Sequence, residues 1–222
     1  MKNILVVAPH PDDEILGCGG TIARHVKHGD RVHLVVVTRG MPEVFSPDSV
    51  VRVRRELSAA QQLLGISSVK FLDFPAPSLD TVPGYLLSSA ILSVLREVQP
   101  DIVYFPHHGD IHGDHRAASL ATMVAARPNG NTHVPRLLTY ETLSESEWGN
   151  PNSSDAFLPT VFVDISEYLQ DKLKAMQCYE SQLRSSPNAR SLEAIRALAT
   201  YRGHSVNLPA AEAFMLVREI VC

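Results

Sequence analysis

Apolar residues recur along the first half of the chain in short dense runs, separated by segments in which they return every three or four positions. The runs fall at Asn3–Ala8, Arg31–Thr38, Val69–Asp73 and Asp101–Phe105. Runs of that length, bounded by polar or proline-bearing breaks, predict strands. VHLVVV within the second is almost continuously apolar, which predicts burial on both faces. Helical spacing predicts helices over Asp13–His28, with Ile15, Leu16, Ile22 and Val26 on one face, over Ser49–Leu64, closed by Gly65 as a C-cap, and over Gly84–Val98. Repeated strand–helix–strand units predict an α/β fold: a Rossmann-like, doubly wound, mostly parallel sheet with helices on both faces, in three layers. If the first four strands take the order 3-2-1-4, the loops after strands one and four meet at the switch point where such sheets bind ligands.

The later half is patterned less sharply. Strands are predicted over Arg136–Thr142 and Val161–Asp164, and helices over Ile165–Tyr179 and Ser191–Tyr201. Arg202-Gly203-His204 then reads as a turn, and AFMLVREIVC as a last strand or an interface. The segment Arg39–Asp48, with two prolines, suits a mobile flap, and Pro75, Pro77 and Pro83 mark a second irregular loop. Ser144–Pro159 is polar and holds Trp148, which either stacks on a ligand or covers the core. The expected organisation is a single domain over 1–222, with a βαβ core in 1–128 and a sheet extension, substrate loops and C-terminal helices in 129–222.

Composition narrows the function. A net charge of −4 over 222 residues offers no basic footprint for nucleic acid. Cys18, Cys178 and Cys222 are odd in number and far apart, which suggests neither a disulfide framework nor a thiolate metal site, and fits a reducing cytoplasm. The N-terminal run lacks a small-residue cleavage site, and no stretch approaches the roughly 18 apolar residues of a membrane span. Homo-oligomerisation is compatible with the apolar tail.

Chemistry concentrates in two loops. VVAPHPDDE ends the first strand with Pro9, then brings His10, Asp12, Asp13 and Glu14 within five positions. Pro9 and Pro11 fix φ on either side of His10 and remove ladder donors, so the backbone must leave the sheet there. Complementing a helix dipole would account for the carboxylates but not for a histidine between two prolines. The loop after strand four reads PHHGDIHGDHRAAS, with His107, His108, His112 and His115, four of the ten histidines, joined by Asp110 and Asp114. Imidazole and carboxylate together suit a divalent transition metal with one position open for water. His10 and Asp13, three apart, can reach one ion, and a histidine from the second loop can complete the set. Spacing alone leaves open which aspartate is ligand and which is base.

PHPDDE followed by ILGCGGTIARH resembles the signature of the PIG-L/LmbE family of metal-dependent N-acetylglucosamine-type deacetylases, with Pro9 where alanine is commoner. The His-x-x-His of His112 and His115 resembles the family's second signature. Looser likenesses are the helix beginning VRVRRE, Ser181-Gln182, Arg202-Gly203 and AAEAF. The resemblance implies one zinc ion per chain held by His10, Asp13 and His115, with Asp12 as general base and His112, as imidazolium, stabilising the oxyanion or protonating the leaving amine. It implies hydrolysis of the acetamide of a small N-acetylated sugar or glycoconjugate by metal-activated water. Arg54, among Arg52, Arg54 and Arg55, together with Trp148 and His204, is the expected substrate contact; Thr38 either faces the site or caps a turn. Gly17, Gly19 and Gly20 lack the spacing of a dinucleotide loop and read as close helix-to-sheet packing, with Cys18 a small buried residue. Two other functions share parts of the pattern: a magnesium-dependent phosphoester hydrolase, which clustered histidines disfavour, and a non-catalytic nucleotide-binding module, disfavoured by an acidic first loop.

Overall fold

A computed structural model describes residues 1–129, 133–152 and 154–221; Cys222 lies outside the described residues. The order of elements is β1 Asn3–Ala8, α1 Asp13–Lys27, β2 Arg31–Gly40, α2 Pro47–Leu64, β3 Ser68–Ala76, a 3-10 turn Leu79–Thr81, α3 Gly84–Val98, β4 Ile102–Pro106, α4 Gly113–Ala125, β5 Arg136–Tyr140, β6 Val161–Asp164, α5 Leu169–Gln177, α6 Leu192–His204 and β7 Ala211–Glu219. The strands form one sheet in the order β3-β2-β1-β4-β5-β7-β6. β1 lies between β2 and β4 in parallel register, with Val6 opposite Leu34 and Tyr104. Among the described residues only the β5–β7 and β6–β7 pairings are antiparallel.

Side chains of β1 alternate between two cores. Ile4, Val6 and Ala8 pack with apolar residues of α1, α2, α5 and α6, while Leu5 and Val7 pack with those of α3 and α4. A strand buried on both faces therefore explains the unbroken apolar run, and the three-layer α/β expectation holds. The switch point falls between β1 and β4, so the loops Pro9–Asp12 and 107–112 open side by side at the carboxyl edge.

Several boundaries differ from the sequence pattern. β2 and β3 run on together, with Arg39 opposite Pro75 and Gly40 opposite Ala76. Pro75 is tolerated because β3 is the edge strand, where a missing amide forfeits no ladder bond. The expected flap is shorter for the same reason, and α2 starts at Pro47 with Ser46 as its N-cap. Arg202-Gly203-His204 is no turn: it completes α6, and Gly203 is required because a Cβ would run into the backbone of Ala210. The C-terminal apolar run is β7, filling the slot between β5 and β6.

Gly17 shows the close packing expected of the glycine cluster. A Cβ there would collide with the ring of Tyr140, whose hydroxyl donates to Val7 O at 2.8 Å, binding β5 to β1 over the top of β4. Among the described residues no helix is long and apolar enough to cross a membrane.

Candidate metal centre

Beyond Ala8 the chain leaves the sheet under guidance from β2. Thr38 donates both its amide, at 3.1 Å, and its hydroxyl, at 2.8 Å, to Pro9 O. This is a structural role for Thr38. The turn is then closed by His10 N donating to Asp13 Oδ2 at 2.8 Å. Asp12 is the N-cap residue of α1 with φ 112°, and Asp13 and Glu14 occupy the first helical turn, where the macrodipole favours negative charge.

The second loop supplies the other half. His112 is the N-cap of α4, its Nδ1 accepting from Asp114 N at 3.1 Å, and His115 follows on the first turn, fully buried. His115 Nε2 lies 3.2 Å from Asp13 Oδ2, and His10 Nδ1 lies 3.3 Å from the same oxygen. Ligand atoms of His10, Asp13 and His115 thus fall within 4.8 Å of one another. Asp13 Oδ1 and His115 Nε2 are buried without a hydrogen-bond partner among the described residues, an arrangement that is costly unless a cation completes it.

Each of the two histidines has its other nitrogen on a carboxylate. His10 Nε2 lies 2.9 Å from Asp114 Oδ2, and His115 Nδ1 lies 2.8 Å from Asp110 Oδ2. Such pairing orients a ligating imidazole and raises its basicity. The carboxylates are held in turn: Asp114 Oδ1 accepts from Leu79 N at 2.9 Å, and Asp110 Oδ1 from the Ser146 hydroxyl at 2.5 Å. His10, His112 and Asp114 also lie close enough to form a second set. Asp114, however, already spends both oxygens on Leu79 N and His10, so the first set, with its two unpartnered atoms, fits a metal better.

The electrostatics of the site follow from this packing. Burial opposes charge on His10, but hydrogen bonds to Asp114 and Asp13 and the charge of Asp13 outweigh it and lift the imidazole to about 9. Burial likewise opposes charge on His115, yet the nearby charge of Asp13, with the hydrogen bond to Asp110, raises it to about 10. Asp13, though buried, is held well below the usual carboxylate range by His115 and His10. Asp12 is pushed up to about 7 by burial, against the pull of Arg190. His112 differs from the imidazolium expected of it: burial and the charges of His10 and His115 lower its pKa. With Nδ1 accepting the Asp114 amide, it is a neutral ring whose Nε2 carries the proton.

The structure brings Asp12, Asp13, His10, His112 and His115 together and leaves three expected contacts elsewhere or on the rim. Arg54 pairs with Asp73 and lies 4.3 Å over the ring of Phe71, so it joins α2 to β3. Arg52, more than half exposed, donates to Glu56 at 3.0 Å, and Glu56 accepts from the amide and hydroxyl of Ser181. His204 is exposed at the end of α6, about 18 Å along the helix from Leu192. Trp148 is 57% exposed on the segment that packs against the histidine loop, where Ile111 N donates to Glu145 O. His107 and His108 bind the carbonyls of Asp155 and Ser154 at 2.7 and 2.8 Å, securing that segment.

Sequence reasoning missed Arg190. Its Nη1 lies 2.8 Å from Asp12 Oδ2, and its Nε donates to Ser144 Oγ at 2.9 Å. Nothing local marks it: Arg190 arrives from 178 residues downstream on an irregular segment. The roles of Asp110 and Asp114 were also unassigned, although the alternation of carboxylate and imidazole in GDIHGDH is a usable signal.

Comparison with known proteins places these features in a wider set. The family profile described as "PIG-L: GlcNAc-PI de-N-acetylase" matches residues 5–126. Diacetylchitobiose deacetylase of Thermococcus kodakarensis is 29% identical over 215 residues, covering 91% of this chain and 78% of that protein. The crystal structure of the conserved protein TT1542 from Thermus thermophilus superposes with a TM-score of 0.80 at 30% identity, over 100% of this chain and 97% of that one. GalB, the 4-carboxy-2-hydroxymuconate hydratase of Pseudomonas putida KT2440, superposes with a TM-score of 0.79 at 25% identity, over 100% of this chain and 98% of that one.

Proposed function

The chain belongs to the PIG-L family, and from that membership we propose that it is a metal-dependent N-deacetylase acting on a small N-acetylated amino sugar or glycoconjugate. The observation that carries this reading is the convergence of His10, Asp13 and His115, two of whose buried atoms have no hydrogen-bond partner among the described residues, beside a carboxylate, Asp12, that stands outside the set. Two imidazoles and one carboxylate suit zinc better than magnesium, which prefers oxygen donors and its own waters. A zinc ion held there supplies Lewis acidity toward the acetyl oxygen and makes water acidic near neutral pH.

The remaining steps fall to the chain. Asp12, its Oδ2 held by Arg190, takes a proton from the attacking water on Oδ1. His112 presents Nε2–H to the oxygen on which negative charge develops. Hydroxide adds to the acetyl carbon, the C–N bond breaks, the amine leaves with a proton, and acetate remains. His10 and His115 are kept in register for the metal by Asp114 and Asp110.

The alternatives from the sequence have less support. A nucleotide-binding module would seat phosphate at the N-terminus of α1, which here holds Asp13 and Glu14. Magnesium phosphoesterase chemistry is disfavoured by the histidine donors. The similarity to a hydratase favours one further reading, addition of water to a carbon–carbon double bond with the same base. A panel of N-acetylated amino sugars, assayed for acetate and free amine with and without a chelator, separates these. Equal release of both products, abolished by the chelator, is expected. Absence of acetate with every member of the panel would overturn the deacetylase reading.

A further inference from the structure

Asp12 adopts φ 112° and ψ −26°, a backbone conformation that residues with a side chain rarely take. Its side chain does not hold it there, since it makes no capping hydrogen bond and turns instead to Arg190. The restraint acts on the amide. Asp12 N donates to Glu14 Oε2 at 3.0 Å, and Glu14 Oε1 accepts the hydroxyl of Tyr179 at 2.5 Å. Both Glu14 and Tyr179 are buried, so each polar atom depends on the other for its partner. Tyr179 follows the end of α5 and lies 165 positions from Glu14, so a separate part of the fold reaches in to fix the turn.

We infer that Glu14 and Tyr179 are positioning residues for the proposed reaction, a clamp that holds the Asp12 amide and so aims its carboxylate at the water to be deprotonated. This rests on reading Asp12 as the base. Tyr179 fixes the Glu14 carboxylate, Glu14 fixes the amide, and Arg190 fixes the far oxygen of the Asp12 carboxylate. The clamp accordingly acts through Asp12 alone.

The test is a set of double-mutant cycles read as kcat, KM, metal content and melting temperature. Tyr179→Phe, which keeps the ring, should lower kcat about tenfold at unchanged KM and full metal content. Glu14→Gln, which has one acceptor oxygen for two donors, should lower it about a hundredfold, as displacement of a catalytic group does. In an Asp12→Asn background neither change should alter the residual rate by more than about twofold, because the group they aim is gone. A drop of the same size in that background, loss of metal in step with activity, or no effect in the native background would overturn the clamp. Asp12→Asn turning over at the native rate would remove the base assignment itself, a separate result that takes the clamp with it.

Discussion

The carboxylate of Asp110 sits 2.8 Å from His115 Nδ1, and it is this contact that turns the opposite ring nitrogen toward Asp13 Oδ2, 3.2 Å away. Asp110 is itself pinned by Ser146 on the segment after β5, so the orientation of a candidate ligand is decided by a distant stretch of chain. Asp110→Asn can still accept one hydrogen bond but loses the charge that makes the imidazole basic. Zinc affinity should fall about 10- to 100-fold, measured by competition with a chromophoric chelator. An unchanged affinity would mean that Asp110 serves only the loop.

Stability of the metal-free protein should fall as pH rises. His10 and His115 are raised to about 9 and about 10, and Asp12 and Glu14 to about 7 and about 8. All four bind protons more tightly folded than unfolded, whereas His25, His33, His107 and His112, lowered chiefly by burial, act the other way below about pH 7; above that pH the folded state carries more protons and the slope of unfolding free energy against pH is negative. The loss from the two carboxyls accrues between their unfolded values and about 8, and that from the histidines between about 6.5 and 10. Melting temperatures of chelator-treated protein should therefore decline from about pH 7 to about pH 10, and zinc uptake near neutral pH should release protons, read by calorimetry in buffers of different ionisation enthalpy. A melting temperature that rises over this range would contradict the arrangement.

Behind the centre, Lys172 and Glu212 form a buried ion pair at 2.5 Å that is inserted into α1. Lys172 Nζ donates to Leu16 O, while Glu212 accepts from Gly20 N and Thr21 N, on the stretch of α1 where Gly19 lets Lys172 approach. Lys172→Met leaves a buried carboxylate without its counter-ion, and should destabilise the fold by about 3–5 kcal/mol in urea unfolding. Replacement of both partners by apolar residues should cost less than Lys172→Met alone; the reverse order would show that the charges act independently.

Much of this was legible because the parallel core writes its own pattern. Two-sided burial made the β1 and β2 runs continuous, and the order 3-2-1-4, a conditional expectation for a doubly wound sheet, is the one observed and joins the two polar loops. The prolines around His10 and the density of histidines after β4 located the chemistry. Arg190, Tyr179 and Ser146 were not legible, since each acts across more than 30 residues of chain, Arg190 and Ser146 from irregular segments and Tyr179 from just beyond the end of α5. Arg54 misled because three arginines within four positions face different neighbours on α2, and only packing against Asp73 and Phe71 distinguishes them. His204 misled because Gly203 read as a stop when it is a close contact inside α6.

The most direct test of the central claim, that one carboxylate primes water beside an ion held by its neighbours, is to measure bound metal and acetate release on the same preparation of Asp12→Asn. Metal content equal to that of the native protein, with acetate release reduced about 10²- to 10⁴-fold, is the predicted result. Native acetate release by Asp12→Asn, or loss of its metal, would contradict the account.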